Sequence, residues 1–108
     1  MGKTGTEIRD IEQLRSLVRS LPIKLEGAYL FGSRAKGDHL EGSDWDVILI
    51  APAFAAIPFP QRGTYVLENS ALRRVDLLCY TPGEIKKRAG EIGIVAEALQ
   101  GINLLKSG

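Results

Sequence analysis

Ala28-Tyr29-Leu30-Phe31-Gly32-Ser33-Arg34-Ala35-Lys36-Gly37-Asp38-His39-Leu40-Glu41-Gly42-Ser43-Asp44-Trp45-Asp46-Val47-Ile48-Leu49-Ile50 is the stretch on which the reading of this chain turns. Two apolar runs, 28–31 and 47–50, bracket a polar connection, so the stretch reads as strand, turn and strand. Gly32-Ser33 breaks the first run, and Ser33 is placed to cap a short helical turn through Arg34, Ala35 and Lys36 that Gly37 would end. Residues 37–43 read as a polar loop. Asp44 to Ile50 reads as the second strand, and its continuous apolar end suggests burial on both faces.

Side chains alternate along a strand, so Asp44 and Asp46 are expected on one face and Trp45 on the other. At ~3.3 Å per residue the two acidic Cα atoms lie about 6.6 Å apart. Two carboxylates so placed can share one Mg2+ or bracket two ions ~3.5–4 Å apart. Without a cation they repel, and one should titrate high. A third acid, Asp76, lies in another apolar run, flanked by Val75 and Leu77, where a carboxylate without a partner is costly. If that run lies beside the second strand, Asp76 completes a triad, either as a metal ligand or as the acceptor of a proton from an attacking hydroxyl. Gly32-Ser33 supplies the other half of the chemistry. Glycine lets backbone approach a ligand closely, the turn presents N–H groups, the Ser33 hydroxyl adds a donor, and Arg34 and Lys36 can neutralise phosphate charge.

Each piece alone has a plainer explanation. Gly-Ser after a strand is commonly only a turn, Asp-x-Asp is frequent in loops, and a lone acid such as Asp76 is commonly a cap or half of an ion pair. His39 in a polar loop reads as solvated and Cys79 as core. The joint pattern is what carries weight. Two other phosphate motifs fail: Gly32-x-x-x-x-Gly37 is followed by Asp38 and His39 where a P-loop needs Lys and Ser/Thr, and G-x-G-x-x-G fails because position 34 is Arg.

Outward from this stretch, Ile8, Ile11, Leu14, Leu17, Val18 and Leu21 recur at spacings of three and four and predict an amphipathic helix, capped by Thr6 or Asp10 and ended by Pro22. Residues 1–5 read as disordered. The first strand is expected over 24–31. Pro52, Pro58 and Pro60 exclude a long regular helix over 51–64, yet Phe54, Ile57 and Phe59 are apolar and belong either to the core or to a partner surface. Residues 65–71 are ambiguous between helix and strand, and Val75–Tyr80 is the best part of a third strand. Thr81-Pro82-Gly83-Glu84 is a helix start, with Thr as cap, Pro in the first turn and Glu three residues after the cap. A last helical turn or two is expected over 94–99. Three strands alternating with helices predict an α/β (α+β) layer, a small mixed sheet with helices packed on one side.

The 108 residues suit one domain spanning the chain, and an apolar fraction of 44% permits a packed core. Fourteen basic against 13 acidic residues leave a formal charge of +1, which makes no electrostatic case for nucleic acid as partner. The single cysteine cannot form an internal disulfide, so a reducing cytoplasm is the expected compartment. No apolar run approaches the ~20 residues of a membrane span.

Gly32-Ser33, ten residues, then Asp44-Trp45-Asp46, with Asp76 in a later hydrophobic strand, resembles the nucleotidyltransferase superfamily of the DNA polymerase β type. The Gly-Ser-Arg-Ala-Lys-Gly-Asp run is similar to the minimal nucleotidyltransferases in particular, and the similarity covers roughly residues 24–80. The resemblance implies that Gly32 and Ser33, with Arg34, Lys36 and Ser43, hold the triphosphate of ATP or another nucleoside triphosphate. It implies that Asp44, Asp46 and Asp76 hold Mg2+ and carry catalysis. Minimal members are often paired with a small helical HEPN protein, in some pairs as an antitoxin that adenylylates it, so a HEPN partner is the implied acceptor. Two other functions stay open: a binding module that neutralises such a partner without catalysis, and an aminoglycoside-type adenylyltransferase whose substrate pocket a homo-oligomer or a partner would have to complete.

Overall fold

The computed structural model describes residues 8–37, 44–88 and 93–106. The expectations for residues 1–5, His39 and Ser43 lie outside them. Helix α1 spans Ile11–Arg19 and starts where Asp10, in extended conformation, accepts a 2.9 Å hydrogen bond from the Gln13 amide. Ile8 precedes the helix but is buried, so the apolar periodicity ran past the true start. Strand β1 is Gly27–Phe31, α2 is Ser33–Lys36 and β2 is Trp45–Ile50. The proline-rich segment folds as two 3-10 turns, Pro52–Ala56 and Phe59–Gln61, which leads into α3 over Arg62–Glu68. Then come β3 at Val75–Tyr80, α4 at Pro82–Arg88, α5 at Ile94–Ala98 and β4 at Ile102–Asn103. The sequence pattern predicts no β4.

Among the described residues the sheet has the order β3-β2-β1-β4. Strands β1 and β2 pair antiparallel, with Phe31 opposite Asp46, and β2 pairs parallel with β3, with Asp46 opposite Asp76. A parallel pair needs a crossover, and the 3-10 turns with α3 provide it. One sheet face carries Ala28, Leu30, Val47, Leu49, Val75 and Cys79, and packs against Leu14 and Val18 of α1, Phe54, and Val66 of α3. The mixed sheet and its helical layer are as expected. The other face is covered too: Phe31, Ile48 and Tyr80 pack with Val95 and Ala98 of α5, and with Ile85 of α4 at the margin.

The capping box at α4 forms as the residue order predicts: Glu84 N–H donates to Thr81 Oγ1 at 3.2 Å and Thr81 N–H donates to Glu84 Oε1 at 2.9 Å. Glu84 has a second role. It receives the guanidinium of buried Arg62 at 2.7 Å, and Arg62 also donates to the carbonyls of Ile57 and Cys79. These bonds, with that from Thr81, hold the Glu84 carboxyl below its ordinary pKa. One buried cation thus ties the proline-rich segment to the end of β3 and the start of α4. Burial pushes the Cys79 thiol up to about 12, in line with a core role. Among the described residues no helix is long and apolar enough to cross a membrane.

Candidate active site

The central pair of acids is set by sheet register. Because β2 and β3 run parallel with Asp46 opposite Asp76, two carboxylates project from neighbouring strands on one face, beside Phe31 of β1. Asp46 is half-buried and Asp76 is exposed. Burial raises the Asp46 pKa above its ordinary value, and the negative charges of Asp76 and then Asp44 raise it further.

Gly32 follows Phe31 directly and brings backbone against that carboxylate. Its φ of 77° lies in the left-handed region, and a Cβ there would sit 3.2 Å from Asp46 Cγ and closer still to Oδ2. Two independent constraints therefore demand glycine. Gly32 also occupies the cap position of α2, its carbonyl accepting from the amides of Ala35 and Lys36. The expected cap, Ser33, is instead the first helical residue. The turn closes as expected at Gly37, φ 83°.

Asp44 stands one residue before β2 and is drawn to a cation: its Oδ1 accepts from Arg74 Nε at 3.2 Å, an ion pair exposed on both sides. Arg74 is held there by its own backbone, whose carbonyl accepts from Trp45 N–H at 3.0 Å and whose φ is 58°. Trp45 points to the opposite face, as alternation requires, and is buried in the α1 layer. The Arg34 guanidinium lies 4.1 Å from the centre of its ring. Lys36 sits 3.8 Å from Glu97 of α5, both side chains exposed. Neither Arg74 nor Glu97 stands out in the sequence. A positive φ at a non-glycine residue leaves no sequence signal, and Glu97 meets Lys36 only through tertiary packing.

Among the described residues no three acids, histidines or cysteines stand gathered as a ready metal cage. The donor set nevertheless suits a hard divalent cation. It offers oxygen ligands only, one of them half-buried and burdened by its acidic neighbours, a strain that a cation would relieve.

No curated protein matches the chain. A solved structure similar to it is the crystal structure of a candidate nucleotidyltransferase from Sulfolobus solfataricus, 31% identical over 71% of this chain and 68% of that one, with a TM-score of 0.49. The family model of the nucleotidyltransferase domain matches residues 11–104. With that match spanning the sheet, the Gly32 turn and all three acids, the chain belongs to the nucleotidyltransferase-domain family, whose chemistry is transfer of a nucleotidyl group from a nucleoside triphosphate.

Proposed function

We propose that the chain is a single-domain Mg2+-dependent adenylyltransferase, moving AMP from ATP to a hydroxyl on a protein partner, a small helical protein of the HEPN type that it thereby silences. The observation that carries the reading is the contact between Gly32 and Asp46, with Asp76 beside them in register. It puts a backbone turn suited to phosphate against a carboxylate suited to a cation. In this reading Asp46 and Asp76 hold the cation with Asp44, which leaves Arg74 to do so. Bound there, a divalent cation would supply charge neutralisation at the phosphates and a lowered pKa for the acceptor hydroxyl.

The chain's own residues do the remaining work. Gly32 and Ser33 hold the triphosphate with its α-phosphorus facing the acids. Asp76, the more exposed acid of the register pair, receives the proton of the acceptor hydroxyl. The hydroxyl oxygen bonds to the α-phosphorus, the bond to the bridging oxygen breaks, and pyrophosphate leaves with that electron pair. Lys36 and Arg34 balance charge on the phosphates once drawn from Glu97 and Trp45. The test is incorporation of α-labelled ATP with Mg2+, with and without the product of the neighbouring gene, with Asp44→Asn as control. Label on the partner that vanishes in the variant supports the reading. Undiminished label in Asp44→Asn refutes it.

One observation favours a second role as a binding module. Phe59 is 49% exposed and Tyr65 40%, both from the proline-rich segment and the helix it feeds. Phe54, by contrast, is fully buried and Ile57 is half-buried, so Phe59 is the residue to change. Loss of co-purification in Phe59→Glu, with labelling of free acceptor peptide retained, would assign this patch to partner docking; an unchanged complex would exclude it.

A further inference from the structure

Phe59, Tyr80 and Arg88 come from three separate segments and meet in one stack. The Phe59 and Tyr80 rings stand 5.3 Å apart, tilted by 40°. The Arg88 guanidinium lies 5.6 Å from the centre of the Tyr80 ring, and that of Arg62 lies 5.3 Å from the centre of the Phe59 ring. Tyr80 is buried within the stack, whereas Phe59 and Arg88 are exposed. We propose that this stack anchors an acidic segment of the protein acceptor, a stretch in which an aromatic side chain is flanked by carboxylates. The inference rests on the docking role given above to Phe59, and adds to it the chemistry of the partner and its distance from the acids.

Charge is the first argument. Glu84 is committed to Arg62 and to the Thr81 amide, so the Arg62 guanidinium brings little net charge to the surface. Lys86, Lys87 and Arg88 are exposed, and no acid among the described residues pairs with them. Cations in the last turn of a helix suit its dipole whatever they face. Arg88 does more, because it turns back over Tyr80 and so puts its charge beside an exposed ring. Carboxylates complement that charge, and the open Phe59 ring takes an aromatic partner.

Position is the second. Asp76, Leu78 and Tyr80 share one face of β3, the face that carries Asp46. At ~3.3 Å per residue, Asp76 and Tyr80 lie ~13 Å apart along the strand. A segment anchored at Phe59 therefore presents a hydroxyl to Asp76 across Leu78, which is half-buried between them. Other modes of binding are closed. β3 is the outer strand of the sheet, but Arg62 takes its Cys79 carbonyl, and a Cβ on Gly63 of α3 would stand 3.9 Å from its Leu77 carbonyl oxygen. No strand can be added along that stretch, so contact is through side chains on the face. Single-stranded nucleic acid needs successive open rings for successive bases, and Tyr80 is only 7% exposed.

The test is calorimetric titration of the full chain, at low salt, with a short synthetic peptide that carries a tyrosine between glutamates. Its twin with glutamine for glutamate, its twin with alanine for tyrosine, and oligouridylate are titrated beside it. Phe59→Ala should weaken the first peptide about tenfold, as loss of an aromatic anchor does, and leave the alanine twin unchanged. Arg88→Gln should weaken it about threefold and leave the glutamine twin unchanged. Arg9→Gln, which removes an exposed cation ahead of α1, should change neither. Equal losses in Arg9→Gln and Arg88→Gln, equal binding of the glutamate and glutamine peptides, or tighter binding of oligouridylate overturns the acidic segment. If Phe59→Glu still breaks the complex in the co-purification above, such a result rejects this partner chemistry and keeps the docking role. A complex intact in Phe59→Glu, with peptide affinity intact in Phe59→Ala, overturns both.

Discussion

Replacing Asp46 by Asn should stabilise the metal-free protein while ending transfer. Asp46 and Asp76 are register neighbours on adjacent strands, and adjacent strands lie ~4.8 Å apart. Coulomb's law at that distance gives ~0.9 kcal/mol with the screening of water and ~3.5 kcal/mol at an effective dielectric constant near 20. Asp76 is exposed, so the lower figure governs, and about 1 kcal/mol of repulsion should disappear. For a domain of this size that raises Tm by ~4 °C or slightly more. The sign follows from the titration. The folded-state pKa of Asp46 is raised, so folding favours the protonated form, and stability falls as pH rises from the unfolded value near 3.8 through the folded value. Asn removes that fall, and the difference between the two proteins should shrink as pH drops towards 4.

The assay is thermal unfolding followed by circular dichroism in EDTA at pH 7 and at pH 4, repeated with Mg2+. Cation binding should stabilise the natural protein, by about 2.7 kcal/mol at a hundredfold excess over Kd, and the variant far less. An Asn variant that melts lower than the natural protein in EDTA at pH 7, or that gains as much from Mg2+, would refute the reasoning.

Gly32→Ala should cost about 1–2 kcal/mol from the left-handed backbone alone and displace the Asp46 carboxylate, so labelling should collapse by more than the stability loss explains; comparing denaturant midpoints with initial rates checks it. Arg62→Met should cost about 2–3 kcal/mol, because it leaves the Ile57 and Cys79 carbonyls without their side-chain donor and Glu84 with the Thr81 amide but no cation. Since Arg62 depresses the Glu84 pKa, the natural protein should lose stability as pH falls below about 4.5 through the lower folded value, and the variant's acid limb should be flatter in pH-dependent urea unfolding. Arg74→Gly should relieve a φ of 58° and free Asp44, raising stability by up to about 1 kcal/mol and lowering the Mg2+ concentration for half-maximal labelling. A higher requirement would show that Arg74 serves the site rather than competing with it.

The sequence marks Asp76 as an acid in need of a partner, flanked by Val75 and Leu77, but leaves open whether its strand lies beside Asp46, which only the sheet order supplies; the start of α4 is legible because its capping residues are local. What escaped depended on contacts between distant segments. Ile102–Asn103 is too short for any periodicity, and only its pairing with β1 makes it a strand. Arg62 carries no mark in its own neighbourhood that would distinguish a buried cation from a solvated one. The second helical layer arises because Tyr80, Phe31 and Ile48 share a face; the continuous apolar run 47–50 signals a second covered face, but not which helices cover it. The shift of the α2 cap from Ser33 to Gly32 follows from the close approach to Asp46, again a matter of two strands at once. In the sequence Arg34 and Lys36 suggest phosphate ligands. The folded chain also engages them with Trp45 and Glu97, partners chosen by packing.

Trp45 is the chain's one tryptophan. It sits between the acids at 44 and 46, shielded from water, with the guanidinium of Arg34 stacked on its indole. Excited at the red edge of its absorption, where the three tyrosines do not absorb, it is therefore a built-in optical reporter. A ligand that draws Arg34 off the ring alters the quantum yield, and a cation that pulls on the flanking acids shifts the spectrum. Arrival of nucleotide and of metal can thus be timed separately, by stopped flow, on the unlabelled protein.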